Sequence, residues 1–397
     1  MSSAAPSASI PELAAGMIER GVRRVHVLAW RDLDDPDAGG SEVHADELMR
    51  RWAAAGLEIT HRTSAALGRP AESERHGYRV IRRGSRYSVF PRTIASELSH
   101  RMGRFDALVE IWNGVPWFSP VWCRAPRITF LHHVHGPMWD QMLPGPLAGL
   151  GRLLESRLAP PFYRRTHVLT PSESTREELL ELGFRPQRVT AVENGISEQF
   201  APGGVRSPVP LVVAVGRFAP VKRFDELIRA AIVARRRVPD LQLQLIGDGP
   251  MRADLDALVA QHDAAGWISF SGHVSHDDLV SHYQRAWLVS SASLAEGWGL
   301  TITEAAACGT AAVVTDINGH RSSVIDGVTG VLAPLDRLGD ALADVLLDHD
   351  RRDALANAAL ARARTLTWET AATRVLAALH AEVIKRGVRR GAAGSPV

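Results

Sequence analysis

WLVSSASLAEGWGLTITEAAACGTAAVV, residues 287–314, holds a strand, a glycine-punctuated loop, a helix and a second strand in that order. WLVSSAS and AAVV are short, apolar and bounded by turn residues, as buried strands are. The alanine-rich run between them is long enough for a helix. Two strands joined through a helix pair in parallel, so this is one βαβ unit and the class is α/β with doubly wound sheets. Such sheets bind ligands beyond the carboxyl ends of their strands, which directs attention to the loop Glu296-Gly297-Trp298-Gly299-Leu300. Two carboxylates, Glu296 and Glu304, bracket it in an otherwise small and apolar stretch.

Outward from this unit the same grammar repeats. PLVVAVGRF (210–218), QLQLIGD (242–248) and WISFSG (267–272) read as strands, alternating with helices DELIRAAIVARRR (225–237), MRADLDALVAQHD (251–263) and HDDLVSHYQRA (276–286). In the first half VHVLAW (25–30), LEITHRTS (57–64), YRVIRR (78–83), ALVEIW (107–112), RITFLHH (127–133) and THVLTPS (166–172) read as strands. SEVHADELMRRWAAAG (41–56) reads as a helix with Ser41 as N-cap and Gly56 just past its end. FAPGGVRSP (200–208) reads as a linker. The expected domains are 1–203 and 204–371, with an Arg-rich helix of about 372–397 able to pack back onto the first.

At 397 residues the length suits two domains of roughly 200 residues each. Hydrophobic content of 45% and mean hydropathy of -0.07 describe an ordinary globular chain. A net charge of +2 argues against nucleic acid as a partner. Cys123 and Cys308, far apart, exclude a disulfide scaffold and suit a reducing cytosol. The N-terminus lacks the basic start and apolar core of a secretory signal, and no apolar run approaches the roughly 18 residues that span a bilayer. The expected location is cytoplasmic, with a peripheral contact at the inner membrane face left open.

Of 46 basic residues only Lys222 and Lys385 are lysine. Lys222 lies in VGRFAPVKRFDELI (215–228), where Gly216, Arg217 and Lys222 follow a strand and precede a helix. Two cations beside a helix N-terminus suit a diphosphate. Taken singly, each feature has a plainer reading: a solvated basic loop, a surface acid, or a glutamate offsetting a helix dipole.

Together, Gly216-Arg217-x(4)-Lys222 and Glu296-x(7)-Glu304 resemble the donor-site signature of retaining glycosyltransferases of family 4. LIGDGP with Gly247, FSGHV with Gly272, His273 and Val274, and AACGTAAVV match the family's intervening segments. The resemblance implies a GT-B fold, two Rossmann-like domains facing across a cleft. It also implies roles for single residues. Arg217 and Lys222 would hold the diphosphate of the donor and Glu296 its sugar, with backbone groups of Gly297, Trp298, Gly299, Leu300 and Thr301. Glu304 would bind the ribose, and Gly272, His273 and Val274 would lie near the base.

In the first half DPDAGGSEVHA (35–45) resembles the family's Gly-Gly loop, placing Gly39 and Gly40 near the donor. RITFLHHVHG (127–136) matches the strand that ends in a sugar-binding histidine, His132 or its neighbour His133. Asn194, Trp139, Arg82 and Arg83 are the acceptor-side candidates. Where the family often carries G-G-x-x-E, this chain has Asn318-Gly319-His320-Arg321-Ser322, and Ser322 is expected to be structural. Asp-x-Asp in DLDDPD (32–37) could hold a metal in another glycosyltransferase fold, but here it reads as a polar loop.

The implied activity is retaining transfer of a hexose-type sugar from a UDP- or GDP-sugar to an acceptor hydroxyl, with no metal or other cofactor. A nucleotide-sugar 2-epimerase, a sugar phosphorylase and a non-catalytic nucleotide-sugar binding module are the alternatives. Residues 62–104 carry ten arginines against three glutamates, an excess that would suit an anionic or lipid-linked acceptor or simply be a solvated face.

Overall fold

The computed structural model describes residues 8–142 and 145–393. It divides into two compact units, Met1–Gly195 with Trp368–Val397 and Ile196–Thr367. The boundaries therefore fall before the 200–208 stretch and not at 203/204, and the C-terminal return begins at Trp368 and not near 372. The cause is local bonding. Ile196 N–H donates to Leu366 O at 3.1 Å, and Phe200 packs against the buried Tyr283 ring, so the residues ahead of the glycines already belong to the second unit.

The first unit is built on β1 (Arg24–Leu28), β2 (Glu58–Thr63), β3 (Glu72–Arg75), β4 (Tyr78–Arg82), β5 (Ala107–Trp112), β6 (Arg127–Leu131), β7 (His167–Thr170) and β8 (Val189–Ala191). Their order is β3-β4-β2-β1-β5-β6-β7-β8, parallel throughout except for β3 against β4. Sequence reading missed β3, whose ESER has no apolar residue to mark it. It is held by a two-residue hairpin at His76 and Gly77, both with positive φ, +47° and +81°, as tight hairpin turns require. The helix Trp368–Ala393 returns to pack on the helices Ile10–Glu19 and Gly40–Ala54. Trp52 fixes that return by donating its indole N–H to Ala372 O at 3.2 Å.

The second unit has β9 (Leu211–Val215), β10 (Gln242–Ile246), β11 (Ile268–Gly272), β12 (Leu288–Ser291), β13 (Ala311–Thr315) and β14 (Gly330–Ala333). The order is β11-β10-β9-β12-β13-β14, all parallel. Valine and leucine side chains of these strands meet the helix faces of Phe224–Arg235 and Leu338–Leu347 in one buried apolar cluster. Burial on both faces explains why these strands read as continuous apolar runs. In each sheet the winding changes direction once near the middle, beside β1 in the first and between β9 and β12 in the second.

Candidate active site

Because β9 and β12 are neighbours at the turning point of the second sheet, the loops leaving their carboxyl ends meet. From β9 come exposed Arg217 and the turn Pro220–Lys222, which leads into the helix Phe224–Arg235. From β12 comes the loop that ends at Gly299, whose φ of +93° caps the helix Leu300–Ala307. Leu294 N–H donates to Val221 O at 2.8 Å and sews the loops together.

Lys222 Nζ then lies 2.5 Å from Glu296 Oε1, and Ser293 Oγ donates to the same oxygen at 2.8 Å. Burial pushes the Glu296 carboxyl up. The Lys222 charge, then His320 and the hydrogen bonds, outweigh it and hold the group below its ordinary value. The result is a fixed carboxylate beside a fixed ammonium that has further N–H donors to give.

Glu304 is treated differently by its surroundings. Burial raises its carboxyl to about 7, against the hydrogen bond that Tyr283 OH donates to Oε2 at 3.2 Å. Leu300 and Thr301 form the first turn of its helix, and Gly297 is half-buried in the loop before it. The Trp298 side chain turns into the core beside Ile302 and Val314.

Three glycines let the strand ends crowd together. At Gly247, with φ +130°, a Cβ would lie 2.0 Å from Gly216 O, and Gly247 N–H donates to Gly272 O at 2.8 Å. His273 beyond them is exposed, and Val274 packs against Val213 and Ile246. Gly319 plays the same part against the opening loop, since a Cβ there would lie 2.2 Å from Glu296 O. Next to it His320 is buried, its Nδ1–H donating to Thr315 O at 2.7 Å. Ser322 Oγ donates to Asn318 O at 3.2 Å within its own short helix.

In the first unit the Gly-Gly loop caps the helix Gly40–Ala54 with Gly39 as N-cap, one correction to the sequence reading. Ser41 is already helical. Its hydroxyl donates to Glu42, while the Glu42 carboxylate accepts Gly39 N–H at 2.7 Å. Asn113, at the end of β5, donates to Ser41 Oγ at 3.1 Å and ties this loop to the centre of the sheet.

His132 follows β6 directly and is buried edge-on to His44, with ring centroids 4.9 Å apart. Burial, then His44 and His133, keep its imidazole well below the ordinary value, so it is neutral. His133 is half-buried and stacks on His135 at 4.3 Å. Asn194 is buried, and its Oδ1 has no hydrogen-bond partner among the described residues.

The other acceptor-side candidates do different work. Trp139 is a packing residue: its ring stacks on His135, its indole N–H donates to Glu155 at 3.1 Å, and Gly151 lies against its face. Arg82 is buried and spent on Asp32 at 2.5 Å and Asp34 at 2.7 Å, while Arg83 pairs with Glu72 at 2.9 Å. The arginine excess of 62–104 is largely answered in this way. Arg69 and Arg75 also face Asp34, Arg86 faces Asp35 and Asp37, Arg79 faces Glu72, and Arg62 faces Glu97. The acids of DLDDPD are thus the counter-charges of the arginine-rich segment.

Sequence reasoning missed Tyr283, Ser293, His44 and Asn113. Tyr283 sits 21 positions before its partner in a different helix, and no period or motif links the two. Ser293 and His44 lay inside quoted stretches without any spacing rule to single them out.

Residues 196–362 match the model of Glycosyl transferases group 1, and residues 38–200 that of Glycosyltransferase Family 4. The D-inositol 3-phosphate glycosyltransferase of Kribbella flavida is 29% identical, covering 91% of this chain and 96% of the relative. The protein of the same name from Frankia alni is 30% identical, with 86% and 94% covered. A GDP-mannose-dependent alpha-(1-6)-phosphatidylinositol monomannoside mannosyltransferase of Mycolicibacterium smegmatis is 28% identical, with 72% and 79% covered. Among solved structures, sucrose-phosphate synthase from Thermosynechococcus elongatus aligns with a TM-score of 0.75 at 20% identity, over 94% of this chain and 100% of its own. Anabaena HepE in complex with UDP and glucose aligns at 0.71 and 17% identity, over 90% and 100%. With two parallel-sheet units, both family models and a 30% identical relative matched over nearly its whole length, this chain belongs to glycosyltransferase family 4 and is a glycosyltransferase of the GT-B fold.

Proposed function

We propose that the enzyme moves a hexose-type sugar from a nucleoside diphosphate sugar to an acceptor hydroxyl, with retention and without a divalent metal. The observation that carries this reading is the Lys222–Glu296 pair at the turning point of the second sheet. Lys222 keeps N–H donors for a diphosphate, Arg217 adds a second cation, and Glu296 keeps an oxygen for sugar hydroxyls. Cations placed where charge develops on the leaving diphosphate stabilise the transition state and take the place a metal has elsewhere. Glu304 would accept from the ribose, and Gly272, His273 and Val274 would border the base. In the first unit neutral His132 would hydrogen-bond the sugar, and Gly39 and Gly40 would admit the donor to the helix start. Retention would follow from front-face attack, in which the leaving diphosphate takes the proton of the acceptor hydroxyl.

The names of the relatives narrow the first trials. One is GDP-mannose-dependent, one structural neighbour was solved with UDP and glucose, and the relatives' names carry D-inositol 3-phosphate and phosphatidylinositol monomannoside. UDP and GDP are therefore the first nucleotides to offer, and an inositol phosphate the first acceptor. The test is thermal shift with UDP, GDP, ADP and TDP in the presence of a chelator, followed by turnover with the matching donor sugar and analysis of the product's anomeric configuration. A shift with one nucleotide and a retained anomer support the reading. No shift with any nucleotide overturns the diphosphate site, an inverted anomer overturns retention, and release of a sugar-nucleotide isomer without acceptor assigns an epimerase.

A further inference from the structure

The first unit carries a helical run that turns most of its large apolar residues outward. Residues 145–163 form one continuous helical run, Gly145–Leu153, a π-helical stretch Leu154–Leu158 and Ala159–Tyr163, roughly 28 Å long at 1.5 Å per residue. A globular helix ordinarily buries its large apolar residues and leaves its small and polar ones outside. Here the inward positions are Ala148, Gly151, Glu155, Ala159, Pro160 and Tyr163, all buried, and Tyr163 is the one large ring among them. Gly151 is needed there, since a Cβ would lie 2.6 Å from the Trp139 ring. The outward positions hold Leu147, Leu150, Leu153, Leu158 and Phe162, between 41% and 52% exposed. Five large apolar side chains exposed along one element are more than the single exposures any surface carries, and apolar surface gathered on one element marks interaction surfaces.

The charges on the same run say what covers it. Between Gly145 and Arg165 the only acid in the sequence is Glu155, and it is turned inward, accepting N–H bonds from His135, Gly136 and Trp139. Arg157, Arg164 and Arg165 are exposed and have no acidic partner among the described residues. Arg152 is the exception, answered by Asp140. Apolar residues outward, cations beside them and no exposed acid are the features of a helix that lies in the interface of an anionic bilayer. No described helix is long and apolar enough to cross a membrane.

We propose that residues 145–165 dock this enzyme on an anionic membrane surface, Leu147, Leu150, Leu153, Leu158 and Phe162 entering the headgroup boundary while Arg157, Arg164 and Arg165 meet lipid phosphates. This stands apart from the donor-site reading, because none of these residues belongs to that site. The test is co-sedimentation of the full chain with vesicles of phosphatidylcholine plus phosphatidylglycerol, beside phosphatidylcholine alone. Wild type should bind the anionic vesicles more tightly and lose that preference at high salt. Leu150→Ser with Leu153→Ser should weaken binding at least about tenfold, since each leucine withholds several buried CH₂ groups. Arg157→Gln with Arg164→Gln should weaken it on anionic vesicles only, by roughly fivefold per arginine. Unchanged melting temperatures would show that the substitutions, all at exposed positions, leave the fold intact. Wild type that does not sediment with anionic vesicles, or a leucine variant that sediments like wild type, overturns the proposal. So does a wild-type dimer that the leucine variant turns into monomers, which would assign the face to a second copy of the chain.

Discussion

Lys222 Nζ stands 2.5 Å from Glu296 Oε1 although 74 positions separate the two residues. Each is delivered by a different strand, and only the adjacency of β9 and β12 brings them together. The pair is a buried-edge ion pair with spare donors on one side and a spare oxygen on the other, which is what a diphosphate and a sugar would share.

Removal of the lysine tests it directly. Lys222→Ala should lower turnover at least about a hundredfold, because a single well-placed donor to developing charge contributes roughly 3–4 kcal/mol. Arg217→Ala should fall in the same range. Lys222→Arg keeps the charge but not the compact geometry, and should recover only part of the rate. Steady-state kinetics on variants with native circular dichroism decide the matter; near-normal turnover in Lys222→Ala would remove Lys222 from the chemistry.

Glu304 predicts a pH dependence. Its carboxyl is raised from 4.5 to about 7, chiefly by burial. The folded chain therefore keeps a proton that the unfolded chain releases, so this group favours folding fully below about 4.5 and that contribution is lost as pH rises towards 7. Glu304→Gln should flatten that part of the stability profile measured by urea unfolding across pH. If ribose hydroxyls donate to the carboxylate, nucleoside diphosphate affinity should rise as pH passes 7 in the wild type and be weak and flat in Glu304→Gln. Tyr283→Phe removes the hydrogen bond that holds the value down. It should move the midpoint of the binding profile to higher pH, and an unmoved midpoint would show that the hydroxyl does not act on Glu304.

Gly319 should be intolerant of alanine. A Cβ there would lie 2.2 Å from Glu296 O and 2.5 Å from Glu296 Cβ, so the loop bearing the carboxylate must shift. Gly319→Ala should cost about 1–3 kcal/mol in stability by overpacking. Because it moves Glu296 and not Glu304, turnover should drop more than nucleoside diphosphate affinity does. Calorimetric titration beside kinetics distinguishes this from general damage, in which both would fall together.

Arg82 and Asp32 form a buried ion pair, each side chain 1% exposed. Arg82→Met leaves Asp32 with less of its counter-charge and should destabilise by roughly 3–5 kcal/mol. Adding Asp32→Leu should restore most of the loss, since an apolar pair can replace a buried ionic one at little net cost. Urea melts of the single and double variants measure this. A single variant as stable as wild type would contradict the structural role given to Arg82.

Much of the architecture was legible from short-range pattern. Apolar runs of strand length alternating with helical periods announce parallel sheets, because both faces of such strands are covered and local composition records it. Motif spacing placed Arg217, Lys222 and Glu296 on loops after strands and Glu304 in the helix that follows, and the structure shows those loops converging at the turning point of the sheet. β3 escaped because a charged edge strand carries no apolar alternation, and its His76-Gly77 turn is not a strong hairpin signal.

The sequence by itself determined the α/β class, most strand and helix positions and the order of the motifs, since these depend on neighbours within about ten residues along the chain. Only the tertiary structure decided which charges meet. Arg82 and its companions read as a solvated face or a surface for anionic acceptors until strand order laid them against the acids of DLDDPD. Trp139 looked available until Gly151 and Glu155 closed over it. The leucines of 145–163 would have passed for core until the helix turned Ala148, Gly151, Glu155, Ala159 and Tyr163 inward in their place. Electrostatic pairing and burial are set by distances in space, and those distances come from strand order and packing, which no local window of sequence contains.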